Sequence, residues 1–148
     1  MKSRFFLALI LAIGLPVAVT AGAAAPTIIQ PDSTHWTAGT GQMAGMQMAV
    51  LYGNPAKPGP FTIRLKVPDG TKLPPHYHND MERVTIISGT FMVGIGNKVD
   101  AAKMTALGPG AYAIVPAKLP HYGTVKGETV VQIDGNGPFA MIDAKGHM

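Results

Sequence analysis

Residues 70–89 read GTKLPPHYHNDMERVTIISG, and the fold turns on how this stretch runs. Pro74 and Pro75 disfavour helix, so Leu73 to His78 is extended. On an extended chain His76 and His78, two apart, point to the same face. Glu82 lies four residues further on and keeps that face if the strand continues. A bend near Asn79 and Asp80 would bring it alongside the two imidazoles. Two ring nitrogens and one carboxylate oxygen on one surface are three ligands for a borderline divalent metal. Such groups in an apolar context are costly to bury without a partner.

Working outward, Glu82 to Ile87 is a strand, Ser88 and Gly89 read as a tight turn, and Thr90 to Ile95 returns antiparallel. Upstream, Phe61 to Val67 alternates cleanly. Phe61, Ile63, Leu65 and Val67 share one face, and Thr62, Arg64 and Lys66 the other, which is the period of a half-buried strand. Gln47 to Tyr52 is a further strand. Pro26 to Gly45 has weak periodicity and is expected to wrap the domain as an arm with one short strand. Downstream, Asp100 to Leu107 fits either a helical turn or an irregular edge. Ala111 to Val115 is extended, and Pro116 to Pro120 is a loop. His121 to Val125 and Thr129 to Asp134 read as a pair of strands around Lys126 and Gly127, and Phe139 to Ile142 closes the set. About ten short strands with frequent turn signals and almost no helix mean an all-β sandwich or barrel.

The fourth ligand should come from another strand. The chain has 5 His; His35 sits in the arm and His147 in the tail. His121 follows a proline-bounded loop and opens an alternating segment, so it is the natural candidate. Three imidazoles and one carboxylate would leave one or two positions open on a five- or six-coordinate ion.

The spacing resembles the cupin superfamily. Gly70, His76, His78, Glu82 and Gly89 match every interval of its first motif. Gly110, Pro116 and His121 match its second, in which Lys118 replaces an internal glycine and Val125 a final asparagine. The resemblance implies a double-stranded β-helix, or jelly roll, with one divalent ion (iron, manganese, nickel or zinc) in its mouth on His76, His78, Glu82 and His121. The flanking sequence looks like that of short exported bacterial cupins. Strand parity adds Val84 and Ile86, and from the second motif Tyr112 and Ile114, as pocket-lining residues. Ser88 continues the same parity.

Composition bounds the partners. Lys2 and Arg4 precede an apolar run from Phe5 to Val19, and Ala21 to Ala25 supply small residues. That pattern fits a cleaved secretory signal peptide over residues 1–25, cut after Ala23 or Ala25, with a single domain from 26 to 148. The apolar run is short for a spanning helix and is interrupted by Gly14 and Pro16. A soluble periplasmic protein with no lasting membrane anchor is the expectation. Of 12 basic residues two lie in the leader, so ten face 8 acidic ones and the mature chain carries +2. No cluster of Lys or Arg suits nucleic acid. With 0 Cys, thiolate ligands and disulfides are excluded. Met43, Met46 and Met48 could hold Cu(I) through sulfur, but read more simply as barrel-lining and loop residues. Trp36 is expected to plug an open barrel edge.

Two functions stay open on the sequence. One is a metal-dependent, dioxygenase-like enzyme acting on a small organic molecule, as the resemblance implies. The other is a binding module whose metal is structural or anchors a ligand. No catalytic acid or base beside the ligands can be nominated, and Arg83 and Lys118 are weak candidates to meet an anionic substrate. Exposed strand edges need cover, so a homodimer is compatible with the fold.

Overall fold

The computed structural model describes residues 24–144. The apolar leader up to residue 23 and the polar tail from Lys145, with His147, lie outside the described residues. Among those described, no helix is long and apolar enough to cross a membrane.

Nine strands run in the order β1 (Thr37–Ala38), β2 (Gln47–Tyr52), β3 (Gly59–Val67), β4 (Lys72–Tyr77), β5 (Glu82–Ile95), β6 (Thr105–Leu107), β7 (Tyr112–Val115), β8 (His121–Gly137) and β9 (Ile142–Asp143). Single 3-10 turns at Pro31–Ser33, Gly41–Met43 and Ala101–Lys103 complete the regular structure. The last of these settles the open reading of Asp100 to Leu107: a helical turn comes first and a short edge strand follows. The arm supplies one two-residue strand, β1, which pairs with Met48 and Gln47 of β2.

Two strands are much longer than the sequence suggests. β5 spans 14 residues and β8 spans 17. Ser88 and Gly89 do not form a hairpin turn, and Lys126 and Gly127 do not separate two paired strands. Instead β5 and β8 pair with each other along their whole length and bend together. Arg83 to Ser88 lies against Asp134 to Val130, and Thr90 to Ile95 lies against Lys126 to His121. The first half of β5 is flanked by β7, and the last part of β8 by β3. Beyond the bend β5 is flanked by β6, and the start of β8 by β4. One wall of the jelly roll is therefore β1, β2, β3, the end of β8, the start of β5 and β7. The other is β9, β4, the start of β8, the end of β5 and β6.

Glycine with a positive φ often marks a turn, which is why the bend misleads. Gly89 has φ 76°, and a Cβ there would lie 2.3 Å from Thr129 Oγ1. Thr129 is wholly buried. Its hydroxyl accepts from the Thr90 N–H at 3.2 Å and donates to the Gly127 carbonyl at 3.1 Å. The strands thus stay joined through the corner. An extra residue on β5 between Ile86 and Ser88 shifts the register, and a one-residue shift exchanges the two faces. Val84 and Ile86 point inward before it, and Phe91 and Val93 line the interior after it. Ser88 is consequently exposed, not inward as its parity suggests.

The core follows the alternation read from β3. Phe61, Ile63, Leu65 and Val67 are buried, together with Val84, Ile86, Val125, Val131, Ile133 and Met46. Each fully buried side chain of this size is worth roughly 1.5–3 kcal/mol. Trp36 is half-buried beneath Lys66, whose Nζ lies 4.7 Å from the ring centroid. Lys66 alternates outward from the core face of β3, so this tryptophan covers the outside of the wall and does not plug an edge.

Candidate metal centre and its family

Three of the chain's histidines converge at one end of the barrel. His76 near the end of β4 lies directly across from His121, the first residue of β8. His78 follows just after β4. Their ligand-capable nitrogens all lie within 4.8 Å of one another, and all three residues are buried. Glu82, the first residue of β5, completes the group. Its Oε2 lies 3.6 Å from both His78 Nε2 and His121 Nε2. The bend expected at Asn79 and Asp80 is present: Asp80 Oδ1 accepts the Met81 N–H at 2.7 Å where the chain turns from β4 into β5.

The orientation of the rings is fixed from behind. His76 Nδ1 meets the Pro74 carbonyl at 2.7 Å, His78 Nδ1 the Ala140 carbonyl at 2.8 Å, and His121 Nδ1 the Leu119 carbonyl at 3.0 Å. A carbonyl oxygen can only accept, so each Nδ1 carries the proton and each Nε2 keeps its lone pair. That is the tautomer and second contact found behind metal-bound imidazoles. The local sequence explains two of the three contacts. Pro75 precedes His76 and Pro120 precedes His121, and a residue before proline is held extended. The carbonyl two positions back is thereby presented to the ring.

Electrostatics favour the same state. Burial lowers the His76 pKa from 6.5 to about 4, with His121 adding to the effect. Burial likewise lowers His78 to about 4, against an opposing contribution from the Ala140 carbonyl. His121 is also lowered by burial. The rings are neutral at physiological pH. Burial raises the Glu82 carboxyl from 4.5 to about 7, because no cation among the described residues compensates its charge. A divalent ion among these atoms would reverse that penalty. Three neutral imidazoles and one carboxylate, with nitrogens already aimed inward, are a donor set that fits such an ion.

The ligand group opens into a cavity of about 60 Å³. Val84 lines it. Ile86 is buried in the core and does not reach the cavity. Tyr112 and Ile114 are each 56% exposed and face outward. The register decides this: Ala113 pairs with Val84 and Val115 with Glu82, while Tyr112 and Ile114 pair with the outward Thr85 and Arg83. Ala113 and Val115 line the cavity in their place. Arg83 and Lys118 are not among its walls either, and no Lys or Arg reaches it among the described residues.

Phe139 was not apparent from sequence. It stacks on His78 with centroids 4.3 Å apart and planes at 16°. Its neighbours supply the Ala140 carbonyl and Met141 as a wall. Residues 139–141, read from sequence as part of the closing strand, precede β9 and carry no motif, so only the fold reveals their contacts. Met43 and Met46 line the cavity from the arm side, and Met48 packs on the core. This fits the wall-and-loop reading of the three methionines.

Lys118 takes the place of the second motif's internal glycine, and its backbone behaves as that glycine would. Its φ is 62°, the only positive value outside glycine among the described residues. Its N–H donates to the His78 carbonyl at 2.8 Å. The loop leading into His121 is thus tied to the segment carrying His78.

Residues 63–134 match the cupin domain family. The barrel is a cupin domain. Solved structures similar to it share the barrel at low identity. KdgF from a Halomonas species superposes with TM-score 0.58 at 17% identity, over 74% of this chain and 94% of that one. A putative acetylacetone dioxygenase from Methylibium petroleiphilum PM1 gives TM-score 0.64 at 17% identity, over 83% and 85%. The polyketide cyclase RemF from Streptomyces resistomycificus gives 0.61 at 14%, over 81% and 86%. At these identities the likeness is one of fold, and no curated protein matches the sequence. Cupin neighbours thus carry differing chemistries on one barrel, and the fold does not choose among them.

Proposed function

We propose that this cupin domain binds one divalent metal ion on His76, His78, His121 and Glu82 and acts there on a small organic molecule as an oxygenase. The observation that carries the metal reading is the set of three Nδ1–H contacts to the Pro74, Ala140 and Leu119 carbonyls, which aim three unprotonated Nε2 atoms at one point. When bound, such an ion supplies a Lewis-acidic centre with positions left for an outside ligand. The residues do the rest. The three imidazoles stay neutral across the physiological range. Glu82 gives up its proton as the cation arrives. The apolar walls keep water from the site.

The putative acetylacetone dioxygenase among the structural neighbours supports the oxygenase reading. One observation favours a second reading, a binding module without turnover. Apart from the four ligands, no wall of the cavity among the described residues carries an acid or base, so a general catalyst would have to be a ligand that leaves the metal. The basic, apolar, alanine-rich leader supports export to the periplasm in either case.

The joint variant His76→Ala with His78→Ala is expected to lose metal retention by elemental analysis; undiminished metal would end the site assignment. Fe(II)-loaded protein prepared without air should consume oxygen when its substrate is present. Tight ligand binding without oxygen uptake for any ion would favour the binding module.

A further inference from the structure

The walls of the cavity specify its ligand more narrowly than the metal group does. Among the described residues, every side chain lining it other than the four ligands is hydrocarbon or thioether, drawn from both walls of the barrel and from the arm. The positive groups that could hold a second charge are placed elsewhere. Arg83 sits on the outward face, opposite Ile114 and Asp134, and Lys118 is exposed on its loop. Backbone polar atoms offer no substitute. The Pro74, Ala140 and Leu119 carbonyls nearest the rings are engaged by them, and the strand amides belong to the ladders. The cavity of about 60 Å³ is small beside the several hundred Å³ typical of sites for drug-sized ligands.

We propose that the ligand carries a single chelating oxygen head and an otherwise apolar body of a few carbons. The inference rests on the metal reading above and adds what the cavity accepts. The head sits at the imidazole and carboxylate end. The body lies among Val84, Val115, Val125, Phe91 and the two flexible methionines Met43 and Met141. Sugars, amino acids and diacids are excluded. Each hydroxyl, ammonium or carboxylate beyond the head would be buried with no partner, at a cost on the order of tenfold to a hundredfold in affinity for a neutral group and more for a charge.

Hydroxamates test this, because one bidentate head can be carried on different tails. The full-length protein loaded with Co(II) is titrated with acetohydroxamate, butyrohydroxamate and hexanohydroxamate, and with the 4-hydroxybutyro- and succino-analogues. Changes in the cobalt visible bands report binding without any turnover. Each added methylene is expected to tighten binding about threefold to fourfold until the cavity is filled. The hydroxyl and carboxylate tails are expected to weaken it by about tenfold or more against the plain chain of equal length. Ala113→Leu, which narrows the cavity, should move the best chain length down. A flat series, equal binding of the polar tails, or an unchanged series in Ala113→Leu overturns the ligand class while the metal site stands. Failure to take up cobalt overturns the metal reading, and the ligand class with it.

Discussion

Replacing Glu82 by glutamine should move the stability of the metal-free protein and its affinity for metal in opposite directions. Glu82 is 5% exposed, and burial raises its carboxyl from 4.5 to about 7. A group whose folded pKa is raised contributes stability that is fully present below its unfolded pKa. That contribution is lost as pH rises through the folded value. Between pH 4.5 and about 7, therefore, the metal-free protein gives up stability as Glu82 ionises. At ~1.4 kcal/mol per pKa unit, the loss is about 3 kcal/mol and levels off near pH 8. Glutamine has the same shape and no charge to lose. His76 and His78, lowered to about 4, have the opposite dependence: their contribution is present above 6.5 and lost as pH falls through about 4. They are common to both proteins, so they cancel in the difference. In chelator, Glu82→Gln is expected to match the parent at pH 4.5 and to exceed it by about 3 kcal/mol at pH 8 in denaturant unfolding. Its metal affinity should fall by roughly a hundredfold or more, since loss of mere outer contacts already costs ten- to a hundredfold. A variant no more stable than the parent at pH 8 would refute the buried carboxylate. One that binds metal as tightly would refute its role as a ligand.

Four further substitutions probe how the site and the corner are held. Lys118→Gly keeps the N–H that bonds to the His78 carbonyl and relieves the left-handed backbone; a gain of about 1 kcal/mol in unfolding free energy is expected with metal affinity unchanged. Lys118→Pro removes that N–H and cannot adopt a positive φ, so both stability and metal affinity should drop, measured by denaturation and by competition with a chromogenic chelator. Phe139→Ala removes the ring stacked on His78 and enlarges the cavity; a loss of about 2–3 kcal/mol is expected, and thermal denaturation with and without metal checks it. Gly89→Ala would set a methyl group against Thr129 at the corner of β5 and β8, and circular dichroism should show a chain that fails to fold or melts far below the parent.

The first motif was readable because its chemistry is local. His76 and His78 share a face by strand period alone, and Glu82 follows across one short turn. β3 was readable for the same reason, since Phe61 to Val67 alternates without interruption. The corner was not. Gly89 and Gly127, with φ 76° and 73°, look the same in sequence whether they end a strand or bend it, and only the partner strand tells which. The misplacement of Tyr112 and Ile114 has a related cause. Parity within β7 separates two faces but does not say which is inside; that is decided by pairing with Val84 and Glu82. Phe139 and Ala140 reach His78 from 61 and 62 positions away, and no local pattern signals such a contact. The contacts behind His76 and His121 were within reach, because each is written as a proline followed by a histidine.

The corner shared by β5 and β8 bears on when the protein could first hold an ion. Glu82 opens one long strand and His121 opens the other, and they belong to opposite walls of the barrel. They meet only after both strands have turned the corner together and the walls have closed. Before that, a nascent chain offers only the local group of His76, His78 and Glu82 without the third imidazole, a weak and unselective chelator. Acquisition of the ion would therefore be the last event of folding, and the ion acquired would be the one available where folding finishes. Metal content in a cell would then record the place of maturation as much as the preference of the ligands.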